Sequence, residues 1–206
     1  ASWLAEVRGD KGQGGDLLTT LDLRIQTAAA RALGRQAGAV VVLDAANGDI
    51  LALVSRPGYQ DPPTVQSWQQ DIARTDGPFV HRGLQGLYPP GSSFKIVTAA
   101  AALRDDLGGF TLDCQGQTTV GKRRIKDAQV SGHGRVDLAR ALAVSCNVYF
   151  TRLAGRLGGR TLIDRARAFG LGSAPPGDLG TAAGLLPDPR SEERRGGEEC
   201  RSRWSP

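Results

Sequence analysis

Methionine is missing from all 206 residues, the initiator included, so the sequence reads as a piece of a longer protein. No apolar run approaches the roughly 20 residues needed to cross a bilayer, and no charged-then-apolar leader opens the chain. Aromatic residues make up only 5%, too few to build the stacking platforms that single-stranded nucleic acid requires. The formal charge is +5 and the pI about 9.5, a balance that suits an anionic partner. The basic residues are scattered, however, and the one dense cluster before the tail is Lys122, Arg123, Arg124 and Lys126. No nucleic-acid-binding motif accompanies that cluster, so nucleic acid is set aside as a partner.

What is present suits a packed globular domain, with 40% apolar and 23% charged residues. Residues 1–15 are polar and glycine-rich and read as a linker from an upstream domain. Leu17 to Leu21 suits a short strand. Asp22 then caps a predicted helix whose apolar face is Leu23, Ile25, Ala28, Ala29 and Leu33. Apolar runs at 39–43 and 50–54 flank Ala46-Asn47-Gly48-Asp49, which predicts a hairpin with both faces largely covered. Residues 56–85 read as a long irregular connection. A helix is predicted from Ser92 to about Arg104, a polar turn-rich stretch over 110–135, and helices at 136–145, 148–157 and 160–169. This order defines an α+β fold, with helices packed on an antiparallel sheet. Composition breaks at Arg190. The tail RSEERRGGEECRSRWSP has no apolar periodicity and, apart from Gly196 and Glu198, resembles the translation of a common DNA-sequencing adapter. Residues 190–206 are therefore read as a disordered artefact, which sets Cys200 and Trp204 aside.

The chemistry centres on Tyr88-Pro89-Pro90-Gly91-Ser92-Ser93-Phe94-Lys95. Ser92 stands at the mouth of a predicted helix, and Lys95, three residues on, shares its face. A serine hydroxyl needs a base to become nucleophilic. A lysine in a low-dielectric cleft can provide one, because burial disfavours the ammonium form. The free N–H groups at a helix start can also help to stabilise an oxyanion. Taken alone the bare S-x-x-K is weak, and Ser92 as a mere helix cap with Lys95 as a solvated residue is the simpler explanation. The second element adds weight: Ser145-Cys146-Asn147, an S-x-N, lies between two predicted helices about fifty residues downstream. S-x-x-K followed by S-x-N belongs to the signature of penicillin-binding proteins and serine β-lactamases. In that arrangement the second serine relays a proton, while the asparagine amide bonds both the lysine and the substrate backbone.

From LTTLDLRIQTAA through GAVVVLDAANGDILALVSRPGY and RGLQGLYPPGSSFK to GHGRVDLARALAVSCNVYF and AGLLPDP, the text of residues 17–189 resembles class B penicillin-binding proteins of the elongation type. The resemblance implies the penicillin-binding protein and serine β-lactamase-like transpeptidase fold, with an antiparallel sheet flanked by helices and residues 16–189 forming a partial transpeptidase domain. It implies Ser92 as acylated nucleophile, Lys95 as general base, and Ser145 and Asn147 on the proton-relay side. The activity implied is peptidoglycan D,D-transpeptidation of D-alanyl-D-alanine stem peptides during wall elongation. The partners implied are stem peptides, β-lactam antibiotics and elongation-complex membrane proteins that bind regions outside this sequence. An N-terminal helix outside the sequence would anchor the protein at the periplasmic face of the inner membrane. One departure stands out: the family's third motif, K-[ST]-G, does not occur. The expectation is that the C-terminal strands carrying it are missing and that this piece alone is inactive.

A serine β-lactamase or a β-lactam sensor domain is the nearest alternative. The former commonly uses a deacylating glutamate beyond the second motif, and residues 150–189 contain none. A further set is Cys114, Asp127, His133 and Cys146, spaced C-x12-D-x5-H-x12-C. The residue types suit a closed tetrahedral Zn²⁺ site. A Cys114–Cys146 disulfide and a turn histidine between Gly132 and Gly134 compete with it. The resemblance favours structural zinc, since some elongation-type relatives carry such a site at matching positions. No cofactor is implied for catalysis.

Overall fold

The computed structural model describes residues 16–59, 64–177 and 179–188. The linker over 1–15 and the tail over 190–206 lie outside the described residues. The chain divides into two compact units, one up to Gly83 and one from Leu84.

In the first unit, helix α1 (Leu23–Leu33) starts at Asp22, whose carboxylate accepts from the Arg24 and Ile25 amides, and ends at Gly34 with φ 59°. Strands β1 (Gly38–Leu43) and β2 (Ile50–Arg56) form the expected antiparallel hairpin. Ile25, Ala29, Ala30 and Leu33 of α1 pack on Val40, Val42, Ala52 and Val54. The helix face is thus rotated from the expected one: Leu23 is 79% exposed, and Ala28 is exposed too. The helix covers one face of the hairpin; on the other, Gly83 approaches Ala39 and Val41, but Val41 and Leu43 stay exposed. Period two sends 40 and 42 to the helix and 41 and 43 away from it.

Leu17–Leu21 forms no strand. Single hydrogen bonds occupy the outer edge of β2 instead: Thr20 Oγ1 to the Ile50 carbonyl at 2.8 Å, the Asp22 amide to the Leu51 carbonyl at 3.0 Å, and the Gln26 side chain to both backbone groups of Leu53. A helix cap and a side-chain amide thereby satisfy the edge that a third strand would have taken. The connection after β2 is less irregular than expected. It holds α2 (Val65–Ala73), opened by a reciprocal capping box between Thr64 and Ser67. One helical turn, α3 (Arg82–Gln85), follows.

In the second unit a 3₁₀ turn at Gly91–Ser93 runs into α4 (Phe94–Arg104). The expected turn-rich stretch over 110–135 contains four short strands. β3 (Leu112–Cys114) pairs antiparallel with β6 (Gly134–Val136), and β4 (Gln117–Val120) with β5 (Arg123–Lys126). Glycines let the chain fold back tightly here. A Cβ on Gly132 would meet the Cys114 carbonyl at 2.1 Å, and one on Gly116 the Val130 carbonyl at 2.1 Å. Helix α5 (Leu138–Ala143) is capped by Asp137, two residues later than expected because Val136 ends β6. Helix α6 (Asn147–Ala168) joins the last two predicted helices across a non-helical Gly158 at φ 77°. The core lies where α6 meets α4. Ala99, Ala101 and Ala102 pack with Tyr149, Leu153, Val136 and Ala141, and small side chains on α4 permit close approach. Tyr149 is fully buried and donates its hydroxyl to the Phe110 carbonyl at 2.8 Å. Antiparallel pairs covered by helices are the α+β arrangement expected.

Candidate active site

The 3₁₀ turn presents Ser92 at the surface, one turn before Lys95. Gly91 opens the turn at φ 55°. The neighbouring Ser93 is already engaged, its hydroxyl donating to the Pro90 carbonyl at 2.5 Å.

Lys95 reaches across to the start of α6. Its Nζ donates to the Ser145 carbonyl at 2.6 Å, Ser145 Oγ at 2.9 Å and Asn147 Oδ1 at 2.7 Å. Three acceptors match the three N–H donors of an ammonium group. The Phe150 ring lies 5.7 Å from Nζ. Burial lowers the pKa of Lys95 below that of an ordinary lysine, and the negative charge of Asp127 works against the shift. The two sequence motifs therefore meet: Lys95, Ser145 and Asn147 form one hydrogen-bonded group. Ser92 lies one helical turn away and, among the described residues, shares no hydrogen bond with Lys95.

Ser145 sits at φ 52°, in the left-handed region that non-glycine residues seldom occupy. This backbone twist aims both its carbonyl and its hydroxyl at Lys95. Asn147, the first residue of α6, is held at three points. Its Nδ2 donates to the Lys126 carbonyl at 2.9 Å, its backbone N–H donates to Asp127 Oδ1, and its Oδ1 faces Lys95. The Lys126 carbonyl accordingly fixes the amide orientation. A backbone acceptor carries no residue signature, and so sequence reading missed it. Nor does the sequence announce the bond from Asn147 to Asp127, whose residue type points only to the cysteine and histidine cluster.

Cys114, Asp127, His133 and Cys146 come together directly behind Asn147, their donor atoms all within 4.8 Å of one another. Cys114 Sγ lies 3.0 Å from Asp127 Oδ2, 3.5 Å from Cys146 Sγ and 3.7 Å from His133 Nδ1. Asp127 Oδ2 lies 3.4 Å from Cys146 Sγ and 3.6 Å from His133 Nδ1. The two cysteines are free, not joined in a disulfide. Burial pushes the Cys146 thiol up to about 12. Burial also works to raise the Asp127 carboxyl, but hydrogen bonds from Cys114, Asn147 and Cys146 outweigh it and hold the carboxyl below its ordinary range.

Residues 38–196 match the penicillin binding protein transpeptidase domain. Over 203 residues the chain is 32% identical to the peptidoglycan D,D-transpeptidase MrdA of Acinetobacter baumannii, covering 91% of this chain and 29% of that protein. The D,D-transpeptidase domain of a peptidoglycan glycosyltransferase from Eggerthella lenta superposes with a TM-score of 0.82 at 33% identity, over 93% of this chain and 47% of that one. The penicillin G acyl-enzyme of penicillin-binding protein A from Mycobacterium tuberculosis gives 0.76 at 33% identity, over 90% and 48%. The chain belongs to the penicillin-binding protein transpeptidase family, in its class B branch related to penicillin-binding protein 2. It spans less than a third of MrdA and about half of the two structural neighbours.

Proposed function

We propose that the protein containing this chain is a peptidoglycan D,D-transpeptidase working through an acyl-serine at Ser92. The observation that carries this reading is the hydrogen-bonded group formed by Lys95, Ser145 and Asn147 one turn beyond an exposed serine. In the reaction, Ser92 Oγ loses its proton to neutral Lys95 and bonds to the carbonyl carbon of the penultimate D-alanine. The peptide C–N bond breaks, and the terminal D-alanine leaves with a proton delivered through Ser145. An acceptor amine on a second stem peptide then attacks the ester and frees Ser92. A β-lactam enters the same first step, but its leaving nitrogen stays tethered by the opened ring. Asn147 holds Lys95 on one side and is itself held by Lys126 and Asp127, which keeps the base preorganised. Elongation-complex proteins are proposed partners, and the periplasmic face of the inner membrane the proposed site of action.

Turnover distinguishes the candidate activities. The complete protein should release D-alanine from a D-alanyl-D-alanine peptide and form cross-linked dimers, while hydrolysing penicillin only slowly. Rapid penicillin turnover would instead make it a β-lactamase, and a single acylation without D-alanine release would make it a sensor.

We infer further that Cys114, Asp127, His133 and Cys146 hold a structural Zn²⁺. Metal–ligand bonds of about 2.0–2.3 Å in a tetrahedron imply ligand–ligand edges of about 3.3–3.8 Å. Of the six edges, four at 3.4, 3.5, 3.6 and 3.7 Å lie within that range and the shortest, 3.0 Å, slightly below it. The sixth, Cys146–His133, extends up to 4.8 Å, so His133 would move toward Cys146 on binding the ion. Thiolates bind the cation, so a bound metal offsets the burial that raises the Cys146 thiol.

A further inference from the structure

The β4–β5 ribbon carries the densest positive charge ahead of the tail, and the transpeptidase reading gives that charge no role. Between Gly116 and Lys126 the sequence GQTTVGKRRIK holds four cations and no carboxylate. The register Gln117↔Lys126, Thr118↔Ile125, Thr119↔Arg124 and Val120↔Arg123 sorts the side chains into two faces. Thr118 is buried and Ile125 half-buried, so this face turns inward at that pair, while Val120 and Arg123 at its turn end are exposed. The opposite face is exposed and consists of Gln117, Thr119, Arg124 and Lys126.

Two observations make this outer face more than a solvated surface. The first is its position, since the Lys126 carbonyl holds Asn147 Nδ2 at 2.9 Å and Asn147 Oδ1 faces Lys95 at 2.7 Å. The ribbon therefore ends at the reacting group. The second is orientation. Arg124 donates Nε–H to Gln117 Oε1 at 2.8 Å, and its Nη2 donates to the same oxygen. One edge of the guanidinium is thus fixed, while the Nη1–Nη2 fork stays available for the paired oxygens of a carboxylate. Asp127, the next residue after the ribbon, is buried and turned to the cysteine cluster, so it does not neutralise this face.

We propose that the outer face of the β4–β5 ribbon recognises a carboxylate of the acidic stem peptide, with Arg124 and Lys126 as its ligands and Gln117 orienting Arg124. This rests on the transpeptidase reading of the Ser92 centre. The contact positions the peptide upstream of its terminal D-alanyl-D-alanine and makes the enzyme prefer stem peptides with a free carboxylate over amidated ones.

The test compares two synthetic pentapeptides ending in D-alanyl-D-alanine, one with a free glutamyl carboxylate and one with that carboxylate amidated. With the complete wild-type protein, D-alanine release should show about a tenfold preference for the acidic peptide, read mainly in KM. The preference should fade as ionic strength rises. In R124Q/K126Q it should fall close to unity, whereas R123Q, on the other face, should retain it. A wild-type ratio near unity, a preference surviving in R124Q/K126Q, or an equal loss in R123Q would each overturn the assignment. Vesicles of anionic phospholipid provide another arm: if the double variant loses vesicle binding while the peptide ratio stands, the face serves a membrane and the proposal fails. Labelled penicillin on wild-type protein separates the two levels. No adduct sinks the transpeptidase reading, whereas an adduct with a flat peptide ratio sinks only the ribbon.

Discussion

Replacing Lys95 by methionine should slow acylation of Ser92 by penicillin by a factor of about 10²–10⁴, the usual contribution of a positioned general base. Methionine keeps much of the length and volume of lysine but can neither take nor give a proton. It also leaves the Ser145 carbonyl, Ser145 Oγ and Asn147 Oδ1 without their common donor, so circular dichroism should accompany the kinetics. The pH profile separates base chemistry from a merely structural role. Burial holds the pKa of Lys95 below that of an ordinary lysine. In the proposed mechanism neutral Lys95 is the acting form, so the wild-type rate should rise as pH climbs through that lowered pKa. The residual rate of the variant should be flat across the same window. A variant with the wild-type rise would remove Lys95 from the role assigned to it.

Cys146→Ser should reduce bound zinc from about one per chain to near zero and lower the melting temperature by about 10 °C or more. Coupled metal binding supplies folding free energy directly, and each kcal/mol corresponds to several degrees for a domain of this size. Serine makes this a selective change. Cys146 Sγ caps α6 by accepting from the Tyr149 amide at 3.2 Å, and a serine hydroxyl is itself a favoured cap. The loss should therefore reflect the missing thiolate, not a missing cap. Plasma mass spectrometry on anaerobically purified protein measures the metal. Metal-free protein with a Cys114–Cys146 disulfide would refute the site and leave the Ser92 chemistry untouched.

The parts of the molecule legible in its sequence are those written in side-chain identity at short range. Asn47-Gly48 between two apolar runs specifies the β1–β2 hairpin, and Asp22 specifies the start of α1. Ser92, Lys95, Ser145 and Asn147 are readable because the proposed acyl-serine chemistry requires those residue types. The ribbons over 112–136 were not legible: each strand has three or four residues, and inward Thr118 and Ile125 are too few to set up a period. Helix α2 escaped because only Val65, Trp68, Ile72 and Ala73 are apolar, while its start depends on a Thr64–Ser67 pair instead of the commoner Thr–Glu box. Backbone features left no trace at all. The twist of Ser145 to φ 52° and the Lys126 carbonyl that orients Asn147 arise from tertiary packing, and no residue letter announces either one.

The most direct measurement is the mapping of the covalent adduct after labelled penicillin reacts with the complete protein. Peptide mass spectrometry should place the label on Ser92. Ser92→Ala should abolish it while changing the stability of the fold by no more than about 0.5 kcal/mol, because Ser92 is exposed and its side chain caps no helix. Ser93 is tied to the Pro90 carbonyl and Ser145 is bonded to Lys95, so neither should carry label. Label on Ser93 or Ser145, or an adduct that persists in Ser92→Ala, would contradict the assignment of the nucleophile.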